Sequence, residues 1–349
     1  MQVDYLEFPK AGSVQLKQTE IDESLAEGDL LLKTHLTLVS PGREISAFSG
    51  QRFAKAEQVT YPFQPGSVAV GEIANTGPAV KGLKPGDLVL ATGRHASAMK
   101  LNVQRDTLFK LPEGIHKEDA LFLILGILSI VPVRVAATEV GRRVAVVGLG
   151  LTGNITAQLF RSAGVDVTGI DVVEKRIQEA IAVGIPHTIN MGQEDLKAKT
   201  DYLTEKAGFD IVVCDASNRD ALAHCFEIAK DYGEVVLMTP LDGPAQFDAS
   251  THVYRRCVTL KGAHANYFGR DSATTQGWNI SKHLNVLVEQ LRDGKLKFRG
   301  LITHRMKPQA AATAYKGVLK SKEQYLGVVF QWEGGAKREG TKEEAPAKE

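Results

Sequence analysis

The chain has 349 residues, and its 42 lysines and arginines are balanced by 41 aspartates and glutamates. With 43% hydrophobic and 24% charged residues, it has enough apolar material for two buried cores, which excludes a disordered chain. The near-zero net charge argues against a general nucleic-acid binder, because neutralising phosphates needs a basic surplus or a basic stripe.

Cysteine usage and the amino terminus point to a compartment. Cys214, Cys225 and Cys257 form no Cys-x-x-Cys pair, so neither a disulfide framework nor a thiolate zinc knuckle is indicated. Residues 1–12 lack the basic and apolar regions of a secretory signal. The longest uncharged run, residues 120–133, is shorter than the roughly 20 residues of a membrane-spanning helix. We therefore expect a cytoplasmic protein with no membrane or nucleic-acid partner.

The first 118 residues predict a β-rich domain. They are rich in Val, Leu, Gly and Pro, and Pro-Gly turn signals at residues 41–42, 65–66 and 85–86 interrupt short alternating runs. Short strands separated by such turns favour a β layer rather than helices.

Residues 119–295 have a different texture and predict a doubly wound α/β domain. An apolar helix at residues 120–133 is followed by helical segments that alternate with short β-branched runs. The runs that predict strands cover residues 144–147, 165–170, 187–190, 209–214, 234–238 and 258–262. Repetition of strand, helix and strand implies a parallel sheet with right-handed crossovers.

The end of the chain returns to a β-like texture. The pattern predicts an amphipathic helix at 279–293, a strand at 301–305, a helix at 309–319 and a strand at 326–332. This return indicates that residues 296–332 complete the first domain, so that the α/β domain is inserted between its two halves. Residues 333–349 predict a solvated, charged tail.

The most informative motif is a glycine-rich loop between a predicted strand and a predicted helix. Gly148 permits a tight turn, Gly150 lets the backbone approach a pyrophosphate, and Gly153 allows the helix to pack closely on the strand. Leu151 and Thr152 open the helix, whose first N–H groups would meet the phosphates. The order of strand, glycine loop and helix predicts a dinucleotide-binding site.

The next predicted strand leads to Asp171, where a carboxylate can accept hydrogen bonds from both ribose hydroxyls of the adenosine. Because this carboxylate would repel a 2′-phosphate, the sequence favours NAD(H) over NADP(H). Lys175 and Arg176 nearby could reduce the discrimination. The alternative interpretation is that Asp171 is only the N-cap of the following helix.

Two further strand ends could contact the nicotinamide half of the cofactor. Ala216 and Ser217 follow one predicted strand, and Thr239 and Pro240 follow the next. Ligands of doubly wound folds are held at this carboxyl edge of the sheet. For Ser217 and Thr239, ordinary loop chemistry is an equally good interpretation.

The order of these parts resembles the medium-chain dehydrogenase/reductase superfamily, the alcohol dehydrogenase-like family. Residues 65–73 match its early Pro-Gly block, 84–89 its Gly-Asp turn, 144–153 its cofactor loop and 301–305 its late strand. The resemblance implies an α/β protein in which a GroES-like β-rich catalytic domain carries an inserted Rossmann domain with a parallel sheet. It also implies a homodimer formed through the edge strand at 258–262.

The same resemblance shows where zinc ligands are missing. Zinc-dependent members carry a Cys in the segment corresponding to residues 39–44, a His-Glu pair after the early Pro-Gly, and a further acidic or Cys ligand near the apolar helix. Here these places hold Ser40 or Pro41, the pair Ser67-Val68, and an uncharged stretch around Ile124. Because a zinc site needs at least three Cys, His or carboxylate ligands, the sequence predicts a zinc-independent member with no metal site.

Without zinc, a side chain or the cofactor environment must stabilise charge that develops on the substrate oxygen. Ser40, Arg43 and Glu44 are candidates because their family counterparts line the active site, and His95 and Tyr267 lie in loops that could face the nicotinamide. His95 could transfer or donate a proton near neutral pH.

Each candidate also has a structural interpretation. His95 could be a surface loop histidine, and Ser40 could be only a turn residue. Arg43 and Glu44 could pair with each other, and Tyr267 could serve packing or a subunit contact.

Three functions are compatible with this sequence. The leading hypothesis is a zinc-independent NAD(H)-linked oxidoreductase that moves hydride between nicotinamide and a small organic alcohol or carbonyl. The second is a reductase of a conjugated carbon–carbon double bond, as in quinone or enoyl reductase-like members, although Asp171 weighs against it because those members tend towards NADPH. The third is an NAD(H)-binding protein that has lost catalysis and serves as a sensor or structural component.

Overall fold

A computed structural model describes residues 1–51, 59–264 and 279–332 of the chain. Its strands form a two-stranded hairpin, a six-stranded sheet and a seven-stranded sheet. Within the described residues, no helix is both long enough and apolar enough to cross a bilayer.

The first part of the chain builds the β-rich domain. Its strands are β1 (Gln2–Glu7), β2 (Gln15–Glu20), β3 (Asp29–Leu38), β4 (Val68–Thr76), β5 (Leu88–Ala91), β6 (Ala98–Asn102) and β7 (Leu108–Lys110). One short helix, α1 (Arg43–Ser49), follows β3. Strands β3 to β5 pair antiparallel in sequence order, and β6 pairs with β3. The predicted β-rich character of this region is confirmed.

Two helices connect this domain to the α/β domain. They are α2 (Lys117–Ala120) and α3 (Leu123–Val135). The prediction of one buried helix over residues 120–133 is therefore wrong in detail, because the chain breaks its α-helix at residues 121–122. Both residues of the break are fully buried, so the apolar composition reports burial correctly without marking the break.

The α/β domain is built on a six-stranded parallel sheet. In chain order its elements are β8 (Arg143–Val147), α4 (Leu151–Ser162), β9 (Asp166–Asp171), α5 (Glu174–Ala182), β10 (His187–Asn190), α6 (Leu196–Thr204), β11 (Phe209–Cys214), α7 (Ala221–Ile228), β12 (Ala229–Leu237), β13 (Thr259–Gly262) and α8 (Ile280–Arg292). The spatial order is β10-β9-β8-β11-β12-β13, so the strand order reverses between β8 and β11. Ligands of doubly wound folds bind at such a reversal, at the carboxyl ends of the strands.

The predicted strands of this sheet are present. The largest difference is β12, which begins at Ala229 rather than at Glu234. Ala229 pairs with Phe209, and the register then shifts so that Ile211 pairs with Glu234, so the irregular pairing hides the start of the strand from a simple pattern.

The chain ends by rejoining the first sheet. Its last elements are β14 (Ile302–Met306), α9 (Ala311–Lys320) and β15 (Gly327–Gln331). Strand β15 pairs antiparallel with β3 and parallel with β14. The α/β unit is therefore inserted between two parts of one β-rich domain, as the sequence predicts.

A shared hydrophobic cluster joins the two domains near the sheet reversal. It includes Leu38 and Val68 of the β-rich domain, Phe122 between α2 and α3, and Leu149 of the glycine loop. These residues are all almost completely buried. Because this apolar surface is buried, the end of β3 before Ser40 and the start of β4 after Ser67 share one core with the glycine loop.

Candidate active site

The glycine loop joins β8 to α4 at the reversal of the sheet. Gly148 has a φ of +97°, a left-handed conformation that side chains rarely adopt, and its N–H donates to the Ile170 carbonyl over 2.8 Å. Gly150 is the N-cap of α4. The turn therefore ends a buried parallel strand and starts a helix within three residues.

Two further positions in the loop show why glycine is required. A Cβ at Gly153 would lie only 1.8 Å from the Gly148 carbonyl oxygen, so any larger residue would separate α4 from β8. A Cβ at Gly150 would meet no atom within 4 Å, so this position borders open space. The loop thus has one face locked by packing and one face open to a ligand, and the first N–H groups of α4 lie at that open end.

Asp171 ends β9 beside this loop and is almost fully buried. Its Oδ2 accepts a hydrogen bond from the Leu149 N–H over 2.7 Å, and its Oδ1 accepts from the Val173 N–H over 2.9 Å. Arg176 Nη1 lies 3.3 Å from Oδ2. The alternative interpretation of Asp171 as the N-cap of the next helix is wrong, because the N-cap of α5 is Val173.

Asp215 is a functional candidate that the sequence reasoning did not select. It follows β11 directly, and its Oδ2 accepts a hydrogen bond from the Thr152 hydroxyl over 2.7 Å. The Gly153 N–H and the Thr239 hydroxyl also donate to this carboxyl, but burial outweighs them and raises its pKa to about 7. Its position at the carboxyl end of a central strand was the available signal.

The strand-end candidates lie around Asp215. Ala216 is partly buried. Its backbone nitrogen would lie 2.9 Å from a Cβ placed on Gly148, so it closely approaches the glycine loop. Thr239 is partly exposed and bonded to Asp215, whereas Ser217 and Pro240 are exposed. The Ser217 carbonyl accepts a hydrogen bond from the Asp242 N–H, which is ordinary loop chemistry. The structure therefore brings Thr152, Thr239 and Asp215 together.

Glu44 and His95 lie inside the β-rich domain, with exposed fractions of 1% and 0%. Nε2 of His95 is 2.9 Å from Oε2 of Glu44, and Nδ1 is 2.7 Å from Oγ1 of Thr37. The Tyr315 hydroxyl donates to Oε2 of Glu44 over 2.6 Å, and the Trp332 indole donates to Oγ1 of Thr37 over 3.0 Å. We call these five residues the Glu44 cluster.

Burial changes the interpretation of His95. The alternative that it is a surface loop histidine is wrong, because both ring nitrogens are enclosed and have protein partners. The same contacts leave neither nitrogen free for a substrate, so the geometry gives no support to direct proton transfer. Glu44 has a structural role, with His95 and Tyr315 among its partners.

The remaining catalytic candidates have different surroundings. Ser40 is partly exposed just after β3, and its N–H donates to Oε1 of Glu44 over 2.9 Å. Arg43 is exposed at the start of α1. Tyr267 lies outside the described residues. Of the predicted catalytic residues in the described ranges, the structure brings Ser40, Glu44 and His95 together.

The positions that hold zinc in related enzymes do not fit a metal here. Ser40 and Ser67 are hydroxyl residues, and the stretch around Ile124 is an apolar helix. Across residues 1–51, 59–264 and 279–332, no cluster of three or more His, Cys, Asp or Glu side chains is arranged to hold a metal ion.

Comparison with known proteins identifies the class. Residues 26–115 match the family of the alcohol dehydrogenase GroES-like domain, and residues 135–276 match the family of zinc-binding dehydrogenases. The chain belongs to the medium-chain dehydrogenase/reductase superfamily and is an oxidoreductase of that type.

One relative and two solved structures illustrate the similarity. The L-threonine 3-dehydrogenase of Anaeromyxobacter sp. strain K is 24% identical over 79% of this chain and 84% of its own length. An alcohol dehydrogenase from Escherichia coli CFT073, solved with NADH, superposes with a TM-score of 0.78 at 16% identity over 95% of this chain and 99% of its own. A zinc-binding dehydrogenase from Sinorhizobium meliloti 1021 bound to NADP has a TM-score of 0.78 at 17% identity, with the same coverage. The last two show a shared fold.

Proposed function

We propose that the protein is a zinc-independent, NAD(H)-dependent oxidoreductase that transfers hydride between nicotinamide and a small organic alcohol or carbonyl. The observation that carries this proposal is the glycine loop, where packing at Gly153 fixes a turn whose Gly150 face is open. The carboxylate of Asp171 lies at the end of the neighbouring strand, where it supports a preference for a free ribose hydroxyl over a 2′-phosphate.

The chain's own residues would divide the work of binding and reaction. NAD supplies the hydride chemistry when it is bound. The N-terminus of α4 would receive the pyrophosphate, and Asp171 would accept from the ribose hydroxyls. Thr239 and Ala216 would border the nicotinamide half. Ser40, which is partly exposed after β3, would donate a hydrogen bond from its hydroxyl to the substrate oxygen and so stabilise negative charge there.

Cofactor binding and turnover test this proposal together. NADH and NADPH are titrated by fluorescence, and NAD⁺ or NADH turnover is followed with L-threonine, butane-2,3-diol and a panel of hexoses and small ketones. We expect NADH to bind more tightly than NADPH and at least one alcohol–carbonyl pair to be interconverted. Tighter binding of NADPH would contradict the Asp171 assignment.

The same panel separates the two alternative functions. Adding 2-cyclohexenone and a quinone tests reduction of a conjugated double bond, which would remove the alkene signal and retain the carbonyl. A protein that binds NADH and turns over no compound of the panel would be a sensor or structural component.

Zinc independence is a separate part of the proposal. It is supported by the hydroxyl and apolar residues at the positions of the family's ligands. Elemental analysis after dialysis against a chelator, with turnover measured on the same sample, is the test. One zinc per chain that survives dialysis, or turnover that returns only when zinc is added, would refute it.

We also propose a homodimer formed through β13 and a cytoplasmic location. In the described part of the chain, β13 pairs with β12 on one side, and Leu260 on it is 42% exposed. An open strand edge can pair with a second copy. Leu260→Lys should then shift the sedimentation coefficient from dimer to monomer. The location is supported by Cys214, Cys225 and Cys257, which are all free thiols.

A further inference from the structure

The Glu44 cluster connects segments that are far apart in the chain. Thr37 belongs to β3, Glu44 to α1, and His95 to the loop between β5 and β6. Tyr315 on α9 and Trp332 after β15 follow the inserted α/β domain in the sequence. Tyr315 is 271 residues from Glu44, and Trp332 is 295 residues from Thr37. The cluster therefore fastens the two parts of the β-rich domain to each other at one buried point.

The donors and acceptors of the cluster can be assigned from its connectivity. The Trp332 indole can only donate, so Thr37 accepts from it, and Oγ1 of Thr37 also lies 2.7 Å from Nδ1 of His95. The Glu44 carboxylate can only accept, so Nε2 of His95 carries a proton and donates to Oε2. Burial, followed by the neighbouring Glu44 carboxylate, raises the pKa of Tyr315 well above its usual range, so its hydroxyl stays a donor.

Three donors thus converge on one buried carboxylate. Tyr315 and His95 donate to Oε2, and the backbone N–H of Ser40 donates to Oε1. A carboxylate that is removed from water is stable only with such a set of charge-assisted hydrogen bonds. Two of the three donors come from the domain interior, and the third comes from the partly exposed turn after β3.

The contact with Ser40 links this interior to the surface. Ser40 also receives a hydrogen bond at its carbonyl from the Glu44 N–H, over 3.2 Å, so the turn is held at both of its peptide groups. Two of the donors are also held by ring contacts, because Phe330 packs edge-on against His95 and Phe48 stacks on Tyr315. The position of the Ser40 backbone is therefore set by Glu44.

We propose that Glu44, His95 and Tyr315 are positioning residues for hydride transfer, because they hold the turn at Ser40 in the place where its hydroxyl meets the substrate oxygen. This inference rests on the proposed function, which places Ser40 at the reaction site. The three residues touch neither substrate nor cofactor and act through the backbone of Ser40. Loosening the turn would misplace a donor by a fraction of an ångström, which is enough to slow a reaction about tenfold or more.

Two conservative substitutions test the proposal. Tyr315→Phe removes one donor and keeps the ring. Glu44→Gln keeps the shape, but its amide cannot accept on both sides, so either the interior or the Ser40 N–H loses its partner. Tyr202→Phe and Glu227→Gln, at exposed positions of the α/β domain, are the matched controls.

Three measurements are made on each full-length variant. Hydrogen exchange of a peptide covering residues 38–48 reports the turn itself, NADH titration gives the dissociation constant and the number of binding sites, and turnover uses the panel compound with the highest wild-type kcat/KM. Turnover is expressed per NADH site, so that a partly unfolded sample does not count as a slow enzyme.

We expect about tenfold faster exchange in the 38–48 peptide and a similar fall in kcat, while the dissociation constant for NADH stays within about twofold of the wild type. Both controls should match the wild type in all three measurements. Unchanged exchange in both variants, or faster exchange with unchanged kcat and KM, would overturn the positioning role and leave the proposed function intact. A wild type that binds no NADH or turns over no compound would overturn the proposed function, and the positioning role with it.

Discussion

The glycine loop has a face that is open to a ligand, whereas the Glu44 cluster is closed inside the protein. The loop is made of main chain, with one face packed at Gly153 and another open at Gly150. The Glu44 cluster is made of side chains that are almost fully buried, and its donors and acceptors are directed at one another. One region presents an open face at Gly150, and the other has its polar groups paired with one another inside the protein.

This difference determines what each region can contribute to function. An open helix N-terminus can bind an anion directly, because its N–H groups have no partner within the helix. A closed polar cluster can act on a reaction only by holding something else, because each of its groups would have to leave a partner before touching a substrate. Buried histidine and glutamate in a dehydrogenase therefore need not be its acid and base.

The sharpest test of the open loop compares alanine at its two glycines. Gly153→Ala places a methyl group against the Gly148 carbonyl oxygen, so we expect a loss of roughly 1–3 kcal/mol of stability from overpacking and a large loss of NADH affinity. Gly150→Ala has open space around it, so the folded protein should keep its melting temperature while NADH binding weakens, because the methyl group occupies the approach of the pyrophosphate.

Thermal unfolding without cofactor and NADH titration separate the two effects. A Gly150→Ala variant that binds NADH like the wild type would show that the cofactor does not approach this face. Gly12, which is exposed and also has open space around its Cβ position, offers a surface control as Gly12→Ala, although its φ of +71° adds some backbone strain.

The same contrast explains what the sequence could reveal. The loop, its strand and its helix lie within about one supersecondary unit, so spacing alone predicted Gly148, Gly150 and Gly153 and the parallel sheet around them. The return of the chain to the first domain was also predictable, because residues 301–332 have strand texture after a helical domain.

The Glu44 cluster was not predictable in this way. In the sequence, His95 follows a Gly-Arg pair in a predicted loop, and no neighbouring residue indicates its partner. Its environment depends on Glu44, Tyr315 and Trp332, which come together only when β15 pairs with β3 across the inserted domain. Asp215 was missed for a related reason, since its contacts with Thr152 and the Gly153 N–H depend on how α4 packs.

A smaller effect should follow from changing the residue that supports NAD over NADP. Asp171→Ser removes the negative charge beside the adenosine ribose, so the ratio of NADPH to NADH dissociation constants should fall about tenfold, which corresponds to roughly 1.4 kcal/mol. Asp166→Ser on the same strand is the matched control, because its side chain is about half exposed and lies at the opposite end of β9. An unchanged ratio in Asp171→Ser would mean that the carboxylate, which already accepts from Leu149 and Val173, takes no part in discrimination.

The smallest effect concerns Asp215 beside the glycine loop, where burial raises the pKa of its carboxyl to about 7. In the unfolded chain an aspartate titrates near 3.9, so between about pH 4 and pH 7 the folded protein binds a proton that the unfolded chain has lost. Stability from this group is therefore fully present below about pH 4 and is lost as the pH rises through about 7. Asp215→Asn keeps a neutral side chain at every pH, so its melting temperature should fall less than that of the wild type between pH 5 and pH 8, by a few degrees.

Thermal unfolding of both proteins without cofactor, at intervals of half a pH unit, measures that difference, and comparison with the variant cancels the other groups that titrate in this range. Parallel curves would mean that Asp215 ionises normally despite its contacts with Thr152 and Thr239. Diverging curves would show that folded Asp215 keeps its proton at a pH where the unfolded chain has lost it. Because a dianionic pyrophosphate at the α4 N-terminus would lie near this acid, the protonated form should also be the better partner for the cofactor, and NADH affinity should decline above pH 7 in the wild type more than in Asp215→Asn.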